Sequence, residues 1–217
     1  MPFQRELGTI IQASAIPPAA PGAASWQQGL PTLRGSLVTL RELRVTDAES
    51  LLAAVSTQDV ARFISPPPNT TAGFKKFIAW AHRERARGRY VCFAVAARGD
   101  DQAIGLFQFR SLEPDFGNSE WGFALAAEYW GTGLFVDAAR LAIDFALDVL
   151  GAHRLEARAA LNNFRGNVAL RKVGATHEGG LRRSLLRNGE FLDQALWTIV
   201  ADEWPRERAV EAPRMVH

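Results

Sequence analysis

Apolar side chains recur through residues 134–149 at Leu134, Ala138, Leu141, Phe145 and Val149, while Asp137, Arg140, Asp144 and Asp148 fall on the other side. A period of about 3.6 predicts an amphipathic helix with one packed and one wet face. Gly151 supplies its stop. Elsewhere the pattern changes. "LVTLREL" (37–43) alternates as a strand, and "TDAESLLAAV" opens a predicted helix over 46–62 with Thr46 or Asp47 as its cap. Three prolines in "SPPPN" (65–69) must break that helix, and residues 70–87 predict a second one whose polar end, "HRERARGR", is expected in solvent. Next come "YVCFAVAA", "AIGLFQFRSL" and "SEWGFAL", separated by "RGDD" and "EPDFGN", which predict consecutive antiparallel strands. After the long helix, "HRLEARAAL" predicts a strand and "FRGNVALRKVG" a short helix stopped by Gly174. "THEGGLRRSLL" and "EFLDQALWTIV" predict two late strands joined at "RNGE".

Residues 1–30 break this regularity. They include "ASAIPPAAPGAAS", which has no sustained period, so an N-terminal arm is expected before a domain over 31–205 and a tail over 206–217. The apolar start of the arm, "FQRELGTII", is suited to docking on the domain or on a second subunit, which makes a homodimer an open expectation. At 217 residues and 47% apolar content the chain can bury a sizeable core. Its 25 basic and 23 acidic residues leave a net charge of only +2, so nothing points to nucleic acid. A single cysteine, Cys92, rules out an intrachain disulfide and a cysteine-based metal cluster; it lies in an apolar run and is expected buried. His153 and His177 lack metal-ligand spacing, so no metal is expected. Without an apolar run of membrane-spanning length or a signal-peptide layout, the expected location is the cytoplasm, away from membranes.

The candidate chemistry begins at "WGTGLF", Trp130 to Phe135. A helix N-terminus exposes unpaired N–H groups and partial positive charge, and glycine lets an anion approach the backbone. Neither the Walker A nor the dinucleotide glycine spacing is present, and taken alone the turn is equally a plain connection.

The order of elements and the motifs "EYWGTGLFVDAARL", "LEARAALNN", "LRKVG" and "EGGLRRS" together resemble the Gcn5-related N-acetyltransferase (GNAT) superfamily. They are most similar to the RimJ/RimL-like branch that acetylates ribosomal-protein N-termini. The resemblance runs from Leu33 to Trp204. It implies an α/β fold, with a mixed, mostly antiparallel central sheet flanked by helices and splayed central strands that bind acyl-CoA. It implies transfer of acetyl from acetyl-CoA to a primary amine, on a protein N-terminus or a small molecule, by direct attack in a ternary complex. By the same resemblance, the backbone of Gly131, Thr132, Gly133, Leu134 and Phe135 would hold the cofactor pyrophosphate. Trp130 stands at the signature's first position in place of glutamine or arginine. Phe135 replaces a small residue, so its ring must turn into the core or narrow the slot.

Glu120 matches the proposed general base, and its neighbours Trp121 and Phe123 suggest a partly buried carboxylate with a raised pKa. Leu125 would offer its N–H to the thioester oxygen. Asn163 matches the asparagine that binds the pantetheine arm, and Asn167 is grouped with it as a cofactor contact. Arg165 and Arg171 are candidates for the CoA phosphates. Gly166 occupies the position of a serine that protonates the departing thiolate, which leaves Tyr129, if its ring turns inward, or solvent as the acid. The glycine and the bulky Phe135 also allow a different reading, a non-catalytic acyl-CoA-binding sensor. Acceptor pockets would come from the helices predicted over 46–62 and 70–87.

Overall fold

The computed structural model describes residues 26–187 and 189–205. The expected tail and most of the expected arm lie outside these residues. Trp26 is already buried and meets Phe116 edge-on, with ring centroids 5.5 Å apart, so the folded domain begins before residue 31.

Strands β1 (Leu33–Arg34) and β2 (Val38–Glu42) lead into helices α1 (Ala48–Val55), α2 (Gln58–Ala61) and α3 (Thr71–Ala86). Strands β3 (Tyr90–Ala97), β4 (Ala103–Ser111) and β5 (Asn118–Leu125) follow, then α4 (Leu134–Asp148) and β6 (Arg154–Ala160). The chain continues as α5 (Phe164–Lys172), β7 (Thr176–Arg187) and β8 (Glu190–Val200). One sheet takes the order β1-β2-β3-β4-β5-β6-β8-β7, antiparallel except between β5 and β6. Those two strands are parallel because α4 carries the chain back across the sheet. This is the mixed α/β architecture that the sequence resemblance implies.

Side chains alternate across the sheet and build two cores. Phe107, Phe109, Trp121 and Leu125 face α4 and α5, whereas Tyr90, Cys92, Leu106 and Ala124 face α1 and α3. Buried apolar surroundings push the Cys92 thiol up to about 12, which removes it as a nucleophile at neutral pH.

Three expectations change. The helix expected over 46–62 divides into α1 and α2, and Asp47 does not cap α1. Its carboxylate instead accepts the Arg44 N–H (2.7 Å) and both Arg41 terminal nitrogens (2.8 Å each), a buried pairing that engages both of its oxygens. Arg85, expected in solvent, is buried: its Nε pairs with Glu42 at 2.7 Å and its Nη1 donates to the carbonyls of Trp26 and Gln27. The packed face of α4 includes Ala139, Ala142, Ile143 and Ala146 besides the predicted Ala138 and Phe145, while Leu141 is only partly buried. Small side chains let that helix lie close to the sheet.

The face of α4 expected to be wet carries two tethers. Asp144 accepts the indole N–H of Trp204 at 2.7 Å. Asp137 accepts the backbone N–H groups of Ser36 (3.3 Å), Leu37 (2.8 Å) and Val38 (3.1 Å) and the Ser36 hydroxyl (3.1 Å), which clasps the β1–β2 turn to the start of α4. Gly35 has to be glycine here, because a Cβ would overlap the Asp137 carboxylate. Burial works to raise the Asp137 carboxyl, but the N–H groups of Leu37, Ser36 and Val38 with the Ser36 hydroxyl outweigh it and hold the carboxyl below its ordinary value. A carboxylate depressed on folding stabilises the fold above its unfolded pKa, and that contribution drains away as pH falls through the lowered one. Asp137→Asn is therefore expected to lower the melting temperature at neutral pH by about 4–8 °C, from about 2 kcal/mol of charge-assisted hydrogen bonding. The deficit should shrink as pH falls below the ordinary carboxylate range and the wild-type carboxyl also takes up its proton. A deficit that stays constant in a pH series of melting curves would show that the charge does not matter.

Candidate active site

Strands β5 and β6 pair only through Asn118–Glu120 and Arg154–Glu156, and beyond those residues they part. The resulting wedge opens toward the C-terminal ends of both strands, where the turn before α4 and the N-terminus of α5 also lie. Ala126 donates its N–H to Ile104 of β4 at 2.9 Å. The N–H of Leu125, which points the opposite way in an extended strand, therefore faces the gap. Gly105 permits this close approach of β4, since a Cβ there would overlap the Ala124 carbonyl oxygen and lie 3.0 Å from Leu125 Cα. A glycine inside the "AIGLF" strand pattern was the sequence signal for such an approach.

At the mouth of the wedge, Gly131 (φ 80°) and Gly133 (φ 91°) take left-handed conformations that turn the backbone into the helix. Gly133 is the N-cap of α4, and no side chain caps that helix. Among the described residues, the N–H groups of Gly131, Thr132, Gly133 and Phe135 meet no acceptor, while Leu134 has only a long contact of 3.5 Å to the Thr132 hydroxyl. Free N–H groups at the positive end of a 15-residue helix are an arrangement suited to an anion. Nothing within 4 Å would obstruct a group placed over Gly131. The Phe135 ring packs against Phe123 (4.4 Å between centroids) and Phe107 (5.8 Å), on the core side and away from these amides. Its bulk is accommodated by an aromatic cluster that also includes Trp121.

Trp130 donates its indole N–H to the Leu125 carbonyl at 2.9 Å, and the Arg165 guanidinium lies over its ring, 4.3 Å from the centroid. Tyr129 is half-buried and packs against both cores. Asn163 is the N-cap of α5, its Oδ1 accepting the Gly166 N–H at 2.9 Å. A Cβ on Gly166 would stand 2.5 Å from Asn163 Nδ2, so the cap and a serine at 166 exclude each other in this conformation. Asn167 is committed to the scaffold. Its Nδ2 donates to Ala160 (2.9 Å) and Asn163 (2.8 Å) carbonyls and its Oδ1 accepts the Trp197 indole N–H (2.8 Å). Arg171 lines a separate groove of about 500 Å³ with Asn167, His177 and Trp197, whereas Arg165 meets Trp130, so the two arginines serve different sides of α5.

Glu120 sits at the apex of the wedge, in register with Arg110 on one side and Glu156 on the other. Trp121 and Phe123 project to the opposite face, so the apolar surroundings suggested by the sequence are absent. The Arg110 guanidinium is ion-paired with the Glu120 carboxylate instead. Glu120 and Leu125 are five residues apart on one strand, roughly 16 Å between Cα atoms, so the carboxylate and the Leu125 N–H do not meet directly. On the same face, Tyr90 donates its hydroxyl to Gln108 Oε1, and Gln108 Nε2 lies over Gly122, where a Cβ would come within 3.2 Å. Arg110, Tyr90 and Gln108 are not legible in the sequence as neighbours of this face, because cross-strand neighbours depend on register.

Residues 38–176 match the acetyltransferase (GNAT) domain family. An N-acetyltransferase, p20, of Bacillus licheniformis is 24% identical over 174 residues, covering 80% of this chain and 98% of its own. Spermidine N(1)-acetyltransferase of Escherichia coli is 28% identical over 92 residues, 42% of this chain and half of its own. Among solved structures, RimJ of Mycobacterium smegmatis in complex with CoA-disulfide superposes with a TM-score of 0.73 at 20% identity, covering 81% of this chain and 89% of that one.

Proposed function

The chain belongs to the GNAT family of N-acetyltransferases, and from that premise we propose that it transfers acetyl from acetyl-CoA to a primary amine by direct attack with both substrates bound. The observation that carries this is the wedge between β5 and β6, with unpaired N–H groups of Gly131–Phe135 at its mouth. Those amides hold the pyrophosphate. The pantetheine arm runs into the gap past Asn163, whose Nδ2 is left over from the cap. The Leu125 N–H meets the thioester oxygen and stabilises the charge that develops there during attack. Glu120 takes the proton of the incoming ammonium through water, and the half-buried Tyr129 is the candidate donor to the departing thiolate.

On the acceptor side, Arg110, Arg154 and Arg158 stand among Glu120, Glu156 and Glu178. That balance offers a polycation no net field, but it offers a single ammonium a partner at Glu120. A protein N-terminus therefore suits the face better than spermidine does. The glycine at 166 favours one other reading, a sensor that binds acyl-CoA without turnover. Melting curves with CoA and acetyl-CoA, followed by thiol release with an alanine-initiated peptide and with spermidine, separate the two. We expect stabilisation by both cofactor forms and faster release with the peptide. Stabilisation without release on any amine of a wider panel would establish the sensor instead.

A further inference from the structure

Trp130 makes two contacts that the reaction scheme leaves without a purpose: its indole N–H on the Leu125 carbonyl (2.9 Å) and its ring beneath the Arg165 guanidinium (4.3 Å). The side chain is half-buried and packs against both cores, at the place where the sheet opens. It therefore touches the strand end that faces the gap, and it touches α5 on the other wall. It also immediately precedes the glycine turn. We propose that Trp130 is a positioning residue that couples the two ends of the acetyl-CoA slot, an inference that rests on the acetyltransferase reading above.

At the thioester end, Leu125 is the last residue of β5, and its β6 side has no ladder partner because pairing stops at Glu120. In an extended residue the carbonyl and N–H point the same way. Holding the carbonyl with the indole therefore fixes the direction of the N–H. A donor left loose by as little as an ångström forfeits about 100-fold in rate. At the phosphate end, the flat indole face seats a guanidinium beside the anion site, a contact worth about tenfold in occupancy. Glutamine or arginine, the residues that the sequence resemblance implies for this position, has no comparable aromatic face for a second cation.

Calorimetry with CoA and acetyl-CoA and thiol release with an alanine-initiated peptide test this on three variants. Trp130→Phe keeps a ring and loses the N–H. It is expected to hold CoA affinity within about threefold, to lower thiol release at saturating acetyl-CoA about tenfold, and to erase any preference for acetyl-CoA over CoA. Trp130→Leu loses the seat as well, and should weaken CoA about tenfold, matching Arg165→Ala. Thiol release unchanged in Trp130→Phe, or CoA affinity unchanged in Trp130→Leu, overturns the coupling while leaving the acetyltransferase reading intact. Should the wild type bind acetyl-CoA and transfer nothing, an unchanged acetyl-CoA to CoA affinity ratio in Trp130→Phe overturns it equally. A wild-type chain that binds neither cofactor form overturns the reading beneath it, and the coupling with it.

Discussion

Replacing Gly133 with aspartate is expected to weaken acetyl-CoA binding by at least about 100-fold while leaving the chain folded. The loss follows from two or more charge-assisted hydrogen bonds at about 1.5–3 kcal/mol each, because a carboxylate placed at the cradle competes for the same N–H groups and repels the diphosphate. Retention of the fold follows from the residue chosen. Aspartate is among the few non-glycine residues that enter left-handed conformations, and it is favoured at helix N-caps, the position Gly133 holds at φ 91°. Its Cβ would meet only the tip of Leu37, at 3.4 Å. A cost of about 1–2 kcal/mol is expected, visible as a small drop in melting temperature. Calorimetric titration checks the affinity. Binding at wild-type strength in a folded variant would mean that the pyrophosphate lies elsewhere.

Glu120→Gln is expected to lower the turnover of a peptide amine by about 100-fold, the usual scale for removing a general base, with CoA affinity unchanged within about twofold. Glutamine is nearly isosteric and can still accept from Arg110, so the cross-strand contact survives and the fold is a poor explanation for any loss. The sign of the pH effect separates a base from a bystander. At low pH the acceptor is an ammonium that must shed its proton, so the variant's deficit should be greatest there. The deficit should shrink toward about pH 10, where free amine is abundant. If instead the two proteins differ by the same factor at every pH, Glu120 serves only as the partner of Arg110. The roughly 16 Å of strand between Glu120 and Leu125 makes this the more demanding of the two predictions, since it requires ordered water to bridge the gap.

Features that depend on local spacing were legible in the sequence. Two glycines separated by one residue before an amphipathic run do form a left-handed turn into α4, and the three apolar runs before them do pair as antiparallel strands. The limit was reached wherever a side chain's surroundings come from distant chain. Asp137 reads as solvent-facing from helix periodicity, yet its partners are about 100 residues away at Ser36–Val38. Asn167 carries the right chemistry for a cofactor contact, but Trp197, 30 residues on, occupies its acceptor. Glu120 looks apolar in context only because sequence neighbours on a strand point to opposite faces, and its real neighbour, Arg110, follows from register. Phe135 is the converse case: an apparent misfit in the signature is explained by an aromatic cluster that no single window of sequence contains.

In the proposed function, the gap between β5 and β6 and the amides at the start of α4 together form the acetyl-CoA site. A crystal structure of the chain with CoA bound tests it most directly. Diphosphate oxygens are expected at about 2.7–3.2 Å from the N–H groups of Gly131, Gly133 and Phe135, with the pantetheine arm between the parted strands beside Leu125. A diphosphate seated away from these amides, or a wedge left empty while CoA binds elsewhere, would contradict it.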